Sequence, residues 1–364
     1  MGTPERRRPR ARAGLGTIGR VLNRSRLSVL ALTAAVGLAL AGCGGPASTA
    51  TPGNESSPDV SAASPGATAA TPTPTASATP SVKPVNNLDA ITVAGAAGKA
   101  PQVTIKTPYA VDETRSKVLT PGNGPTVQEA GFIDVNYVGV NGRTGKVFDS
   151  SFKNGQSVSF PLDQVVPGFK KGLAGKKVGD RVLIAMPGAD GYDASGGNAQ
   201  AGINVGDTLV FVVDIVGTQL TGPSGTPVAP KAGLPTVADE GGKPVITVPK
   251  AAAPTALVAQ PLVDGNQAHK LAAGDSIVVH YRSASWKTGK QLDDKYDAPT
   301  VGTLSSTIPC WQKGLVGKAV GSRVLLVCPP ADGFPEGSNN PPIEKGDTVV
   351  YVVDLLFASK QQLA

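Results

Sequence analysis

Two tyrosine and aspartate pairs stand at matching places in this chain. Tyr137 with Asp149 in the first half answers to Tyr281 with Asp293 in the second, each member 144 residues from its counterpart. Such groups orient a bound molecule through hydrogen bonds; they do not attack it. Residues that do covalent or proton-transfer work are scarce. The only histidines are His269 and His280, both in the second half, and the only cysteines are Cys43, Cys310 and Cys328. Two cysteines without a nearby histidine make a poor metal site, so no metal and no cofactor is expected.

The paired residues belong to a repeat. Val135-Asn136-Tyr137 corresponds to Val279-His280-Tyr281, and Thr144-Gly145-Lys146 to Thr288-Gly289-Lys290. Lys170 to Tyr192 realigns with Gln312 to Phe334 at an offset of 142, and the run from Val205 with that from Lys345 at 140, so the second copy has lost a few loop residues. Upstream, Gly98 and Gly242 open similar stretches, which suggests an extended lead-in to each copy. Phe132 to Val138 and Thr208 to Val216 carry the β-branched content of strands, and Pro167-Gly168 opens one short helix over Phe169 to Ala174. A twisted antiparallel β-sheet half wrapped around a short α-helix, present twice, is the α+β architecture this pattern implies.

One reaction needs no nucleophile and no cofactor. Rotation about a prolyl peptide bond is opposed by amide resonance, a barrier of roughly 18–20 kcal/mol. An apolar cup that removes the bond from water and best fits its twisted form lowers that barrier. The first copy resembles the FKBP family, the macrolide-binding peptidyl-prolyl cis/trans isomerases, from about Gln128 to Gly217. The resemblance rests on Val135-Asn136-Tyr137, Gly145 to Ser151, Gln164 to Phe169, Gly191-Tyr192 and Leu209-Val210-Phe211. It implies that Phe169 floors a proline pocket, where the family most often has Trp, and that Tyr137, Phe148, Val165, Val166, Ile203 and Phe211 wall it. Asp149 would meet the carbonyl side of the substrate, Tyr192 would donate from its hydroxyl, and the Val166 N–H would hold a second carbonyl. Val158 stands where the family usually has an aromatic.

In the second copy, from about Leu271 to Phe357, Tyr281, Asp293, Ile308, Trp311, Ile343 and Tyr351 hold the matching positions. Leu292 replaces the wall Phe, Thr307 puts a hydroxyl where the first copy has Val165, and Phe334 lacks the tyrosine hydroxyl. This copy reads as degenerate, a peptide-binding or structural module more than a catalyst. The family arrangement packs the helix that begins beside Cys310 on the strand that ends at Cys328, which implies a disulfide; two reduced core thiols are the alternative.

The net charge of +7 invites a nucleic-acid reading, yet its location removes it. Eight arginines and one acid precede Cys43; without them 26 basic and 26 acidic residues remain. The arginines, the apolar run Leu27 to Leu40 and the lipobox-like Leu40-Ala41-Gly42-Cys43 match a bacterial lipoprotein signal, with a run shorter than the roughly 20 residues of a membrane span. The expected organisation is a signal peptide over 1–42, an Ala/Thr/Pro/Ser-rich disordered linker over 43–85, isomerase domain 1 over 86–220, a linker over 221–240 and degenerate domain 2 over 241–364. The expected protein is lipid-anchored through Cys43 on the outer face of the cell membrane. There it would act on unfolded or newly exported proline-containing proteins, be open to macrolide inhibitors, and have no nucleic-acid partner. A non-catalytic proline-peptide-binding chaperone or surface scaffold is the alternative.

Overall fold

A computed structural model of the chain describes residues 82–363. The expected signal peptide, Cys43 and all but the last residues of the expected 43–85 linker lie outside the described residues.

The first domain opens with a hairpin of β1 (Ile91–Ala94) and β2 (Gln102–Ile105). Its main sheet comprises β3 (Arg115–Thr120), β4 (Phe132–Asn141), β5 (Val147–Ser150), β6 (Val158–Pro161), β7 (Arg181–Met186) and β8 (Leu209–Thr218). The strand order is β3-β7-β8-β4-β5, with β6 also on β4, and every pairing is antiparallel. The single α-helix of this domain, α1 (Pro167–Leu173), begins at a proline whose missing N–H costs a helix nothing at its first turn. It lies against β7 at close range: a Cβ on Gly172 would fall 2.6 Å from Ile184 Cδ1, so only glycine allows this approach.

Strands β7 and β8 are buried along nearly their whole length, which requires cover on both faces of the sheet. One face holds α1 and a core that includes Ile133, Val135, Leu173, Ile184, Met186 and Phe211. The other is covered by the lead-in: Ile91, Tyr109 and Val111 pack with Val138, Val140, Leu183, Ala185, Val210 and Val212. An ion pair pins the hairpin there. Arg181 donates from Nε and Nη2 to Asp214 at 2.6 and 2.7 Å, and also to the carbonyls of Gly95 and Lys99; the Gly98 N–H donates to Asp214. The lead-in is thus a docked hairpin and not merely an extended approach.

The second domain repeats the plan. Its elements are β9 (Gly225–Pro227), β10 (Thr236–Glu240), β11 (Lys243–Thr247), β12 (Val258–Gly265), β13 (Ser276–Ser285), β14 (Gln291–Asp294), β15 (Thr300–Thr303), α2 (Pro309–Leu315), β16 (Arg323–Cys328), the short β17 (Ser338–Asn339) and β18 (Pro342–Ile343), and β19 (Val349–Ser359). The order β14-β13-β19-β16-β12-β9, with β15 on β13, reproduces the first sheet and adds β9 at its edge. The β10–β11 hairpin covers the back of this sheet as β1–β2 does in the first, and Arg323 pairs with both Asp354 and Asp239.

The stretch 221–240, expected as a linker, is therefore structured: Gly225–Pro227 pairs with β12, and Thr236–Glu240 forms half of a hairpin. The two domains also share packing. Phe132 and Leu220 of the first belong to the core of the second, and Phe132 stacks on Phe357 with centroids 5.8 Å apart. Among the described residues no helix is long and apolar enough to cross a membrane.

Candidate active site

The nine residues expected to form the first pocket come together over one end of the sheet. Phe169, projecting from the first turn of α1, lies 4.7 Å, centroid to centroid, from Phe211 on β8. Tyr137 on β4 meets Phe169 edge-on at 6.4 Å and Phe211 at a tilt, 6.1 Å away. Phe148 on β5 stands perpendicular to Phe211 at 5.5 Å. Val165, Val166, Tyr192 and buried Ile203 complete the ring. The result is a cup with an aromatic floor and walls.

Its polar groups sit at the rim. The Tyr137 hydroxyl donates to Asp149 Oδ2, while Asp149 Oδ1 accepts the Ser150 N–H at 2.7 Å, so the exposed carboxylate is held from both sides. Burial pushes the Tyr137 hydroxyl pKa well above its ordinary value, and the hydrogen bond to Asp149 and its charge push in the same direction. Burial, then the charge of Asp149, raises Tyr192 likewise. Both phenols therefore remain protonated donors at neutral pH. Neither the Tyr192 hydroxyl nor the Val166 N–H donates to another described residue, which leaves two donors free for carbonyl groups.

The loops that carry these side chains are tied down by polar contacts. Asp207 accepts from Arg143 Nε at 2.7 Å, from Asn141 Nδ2 at 2.7 Å and from the Asn204 N–H at 2.9 Å, which fixes the segment bearing Ile203 against the β4–β5 turn. Lys171 and Thr114 both donate to Asp190, two residues before Tyr192.

Two site residues were missed by sequence reasoning. Phe160 on β6 packs edge-on against Phe169 at 5.9 Å and supplies the aromatic wall that Val158 lacks. Residues i and i+2 of a strand share a face, and this alternation from Val158 was the available signal. Gly139 was the other. A Cβ there would lie 2.7 Å from Phe148 and 2.9 Å from Phe211, so the glycine is what lets those two rings meet.

The second site uses the same scaffold with a different lining. Trp311, buried on α2, lies 5.2 Å from Tyr281 and 5.5 Å from Tyr351, and the Tyr281 hydroxyl donates to Asp293 at 2.6 Å. Ile308 and Phe334 pack against this core, and Ile343 is buried in it. The register shows what has changed. Gly139 faces Asp149 and Phe211; Ser283 faces Asp293 and Tyr351 in the same way, so serine has replaced the permissive glycine where Leu292 has replaced Phe148. Phe160 pairs with Ile133, and its counterpart Gly302 pairs with Ile277. The second cup has lost two aromatic walls and the tyrosine hydroxyl.

Beneath it, Cys310 and Cys328 form a disulfide with Cα atoms 5.6 Å apart. The first domain explains why both positions differ together. A Cβ on Gly168 would fall 2.5 Å from Met186 Sδ, so a larger residue on the helix requires a smaller one on the strand. Among the described residues no cluster of His, Cys, Asp and Glu is placed to hold a metal.

The family model described as FKBP-type peptidyl-prolyl cis-trans isomerase matches residues 124–216 and 267–356. A probable FK506-binding protein of Corynebacterium glutamicum is 33% identical over 116 residues, covering 32% of this chain and 96% of that protein. An FK506-binding protein of Streptomyces anulatus is 37% identical over 102 residues, 28% of this chain and 82% of that protein. A solved structure of FkpA from Escherichia coli is 32% identical over 29% of this chain and 47% of that one, with a TM-score of 0.27.

Proposed function

This chain belongs to the FKBP-type peptidyl-prolyl cis-trans isomerase family, and on that premise we propose that it turns X-Pro bonds in exported proteins outside the cytoplasmic membrane, with the first domain as the main catalyst. The observation that carries the assignment to the first domain is its complete aromatic cup, rimmed by an exposed Asp149 carboxylate held in place and by two free donors, the Tyr192 hydroxyl and the Val166 N–H.

The geometry suggests the mechanism. A proline ring entering the cup leaves water and packs on Phe169 between Tyr137, Phe148, Phe160 and Phe211. Rotation breaks conjugation, so the prolyl nitrogen becomes more amine-like and the carbonyl less polar. A medium poorer in water than the bulk favours that less polar twisted form over the planar amide. Tyr192 and the Val166 N–H would fix the flanking carbonyls while the imide carbonyl turns near Asp149. No bond is made or broken and no proton moves.

The lipobox-like sequence at Leu40 to Cys43 supports a lipid anchor and action on the outer face of the membrane, where uncatalysed prolyl rotation takes tens of seconds and delays folding. Clients would be unfolded or newly exported proline-containing chains. Inhibition by a macrolide such as FK506, which two relatives are named for binding, is proposed for the first cup. The second cup, short of walls and a donor, is proposed to hold peptide with little turnover.

A protease-coupled proline-peptide assay on the whole chain tests this. Asp149→Ala or Phe148→Ala is expected to reduce kcat/KM about tenfold or more, equivalent to about 1.4 kcal/mol of transition-state stabilisation, whereas Asp293→Ala is expected to change it little. Equal losses from the two aspartate substitutions would put catalysis in both domains.

A further inference from the structure

Strand β6 walls the first cup through Phe160, yet it is paired on one side only, with β4. Its outer edge is taken by the tail of the second domain. Gln361 spans that edge with its side-chain amide: Oε1 accepts the Ser159 N–H at 3.2 Å, and Nε2 donates to the Ser157 carbonyl at 2.9 Å. One primary amide thus does the work of a neighbouring strand. Ser359 adds a second link, donating from Oγ to Ser159 Oγ at 2.9 Å. Ser159 Oγ in turn donates to Asp134 Oδ1 at 3.0 Å, and Ser157 Oγ to Asp134 Oδ2 at 2.8 Å. The tail itself is anchored in the second domain, where Ser359 ends β19 and the Leu363 N–H donates to Ser276 Oγ at 3.3 Å.

We infer that Gln361 and Ser359 of the second domain are positioning residues for the first domain's isomerase site, acting through β6 on Phe160. Side chains alternate along a strand, so a tail that grips Ser157 and Ser159 on the outer side sets where Val158 and Phe160 stand on the inner side. An edge strand of four residues with one partner has little to hold it otherwise. Phe160 touches Phe169 at 5.9 Å, so a shift of β6 opens the wall directly beside the floor. On this account the degenerate domain was retained because it completes the working one. The inference rests on catalysis by the first cup.

The test measures kcat/KM on the whole chain for the wild type, Gln361→Ala, Gln361→Glu, Phe160→Ala and Gln361→Ala with Phe160→Ala. Gln361→Ala, which removes both side-chain hydrogen bonds to β6, is expected to lower kcat/KM about fivefold or more, at about 0.5 kcal/mol or more for each edge bond. Gln361→Glu, which keeps the acceptor for Ser159 N–H and loses the donor to Ser157, is expected to fall between. On the Phe160→Ala background the Gln361 effect is expected to shrink below about twofold, because the wall it positions is gone. Amide exchange at Ser159 is expected to quicken in Gln361→Ala. Unchanged kcat/KM in Gln361→Ala overturns the inference, as does a loss that repeats in full without Phe160. A wild-type chain with no isomerase activity overturns the reading of the first cup instead.

Discussion

Removing the disulfide of the second domain is expected to lower that domain's thermal midpoint by an amount the structure sets. The perturbation is Cys310→Gly with Cys328→Met, which installs the pair used by the first domain and so preserves packing between helix and strand. The bridge joins residues 18 apart. In the chain-entropy model a loop of that length stabilises the fold by about 3 kcal/mol. A domain of about 120 residues has an unfolding entropy near 0.25 kcal/mol/K, so the midpoint should fall by about 12 °C if the domain melts alone. If both domains melt as one block of about 280 residues, the same loss spreads to about 5 °C. The chain has two tryptophans, Trp286 and Trp311, both in the second domain, so their fluorescence reports on the relevant unit without labelling. Melting the wild type with and without reductant gives the bridge alone, free of the backbone cost of the new glycine. A fall under about 2 °C in both experiments would refute the reasoning, since no entropy of the stated size would then be at stake.

Three further outcomes are expected. Tyr192→Phe should cut kcat/KM about three- to tenfold while leaving the fold intact, because a single free donor is lost; the peptide assay reads it. Leu292→Phe alone should destabilise the second domain, since the aromatic ring would meet the side chain of Ser283, whereas Ser283→Gly with Leu292→Phe and Phe334→Tyr should raise isomerase activity in a chain whose first site carries Asp149→Ala. Asp134→Asn should stabilise the chain more at about pH 7 than at about pH 3. Burial raises the Asp134 pKa, against hydrogen bonds from Ser157 and Ser159 and the nearby His269. A raised acid contributes stability that is present below its unfolded pKa and lost as pH rises through the folded one, and the amide escapes that loss. Equal denaturation midpoints for variant and wild type at both pH values would contradict it.

Much of the site could be seen in the sequence because its parts are types that keep their meaning at a distance. Aromatic residues, one carboxylate and a proline at the helix start recur in the same order in both copies. Features that depend on a partner's volume were not legible. The exchange of Gly139 and Phe148 for Ser283 and Leu292 makes sense only when the register sets them face to face, whereas the Cys310–Cys328 bridge was implied by the resemblance and only the clash of a Cβ at Gly168 with Met186 needed the structure. The strand at Gly225–Pro227 was hidden because Gly-Thr-Pro reads as a turn and pairs only through an edge that another segment offers. The tail contact at Gln361 was hidden for a related reason, since a polar residue near a chain's end has no period to betray it.

The docked hairpins bear on where each domain begins as an object that can be handled. The family match opens at residue 124, yet the back of the first sheet is sealed by residues that precede it, Ile91, Tyr109 and Val111 among them. A fragment cut at the homology boundary would carry every residue of the cup and still bare Val138, Val140, Leu183, Ala185, Val210 and Val212 to water. An apolar patch of that kind promotes association. Such a fragment is expected to aggregate or to need detergent, while one starting near residue 84 stays soluble. The unit that was duplicated is therefore larger than the unit that is recognised, and its extra part is a seal.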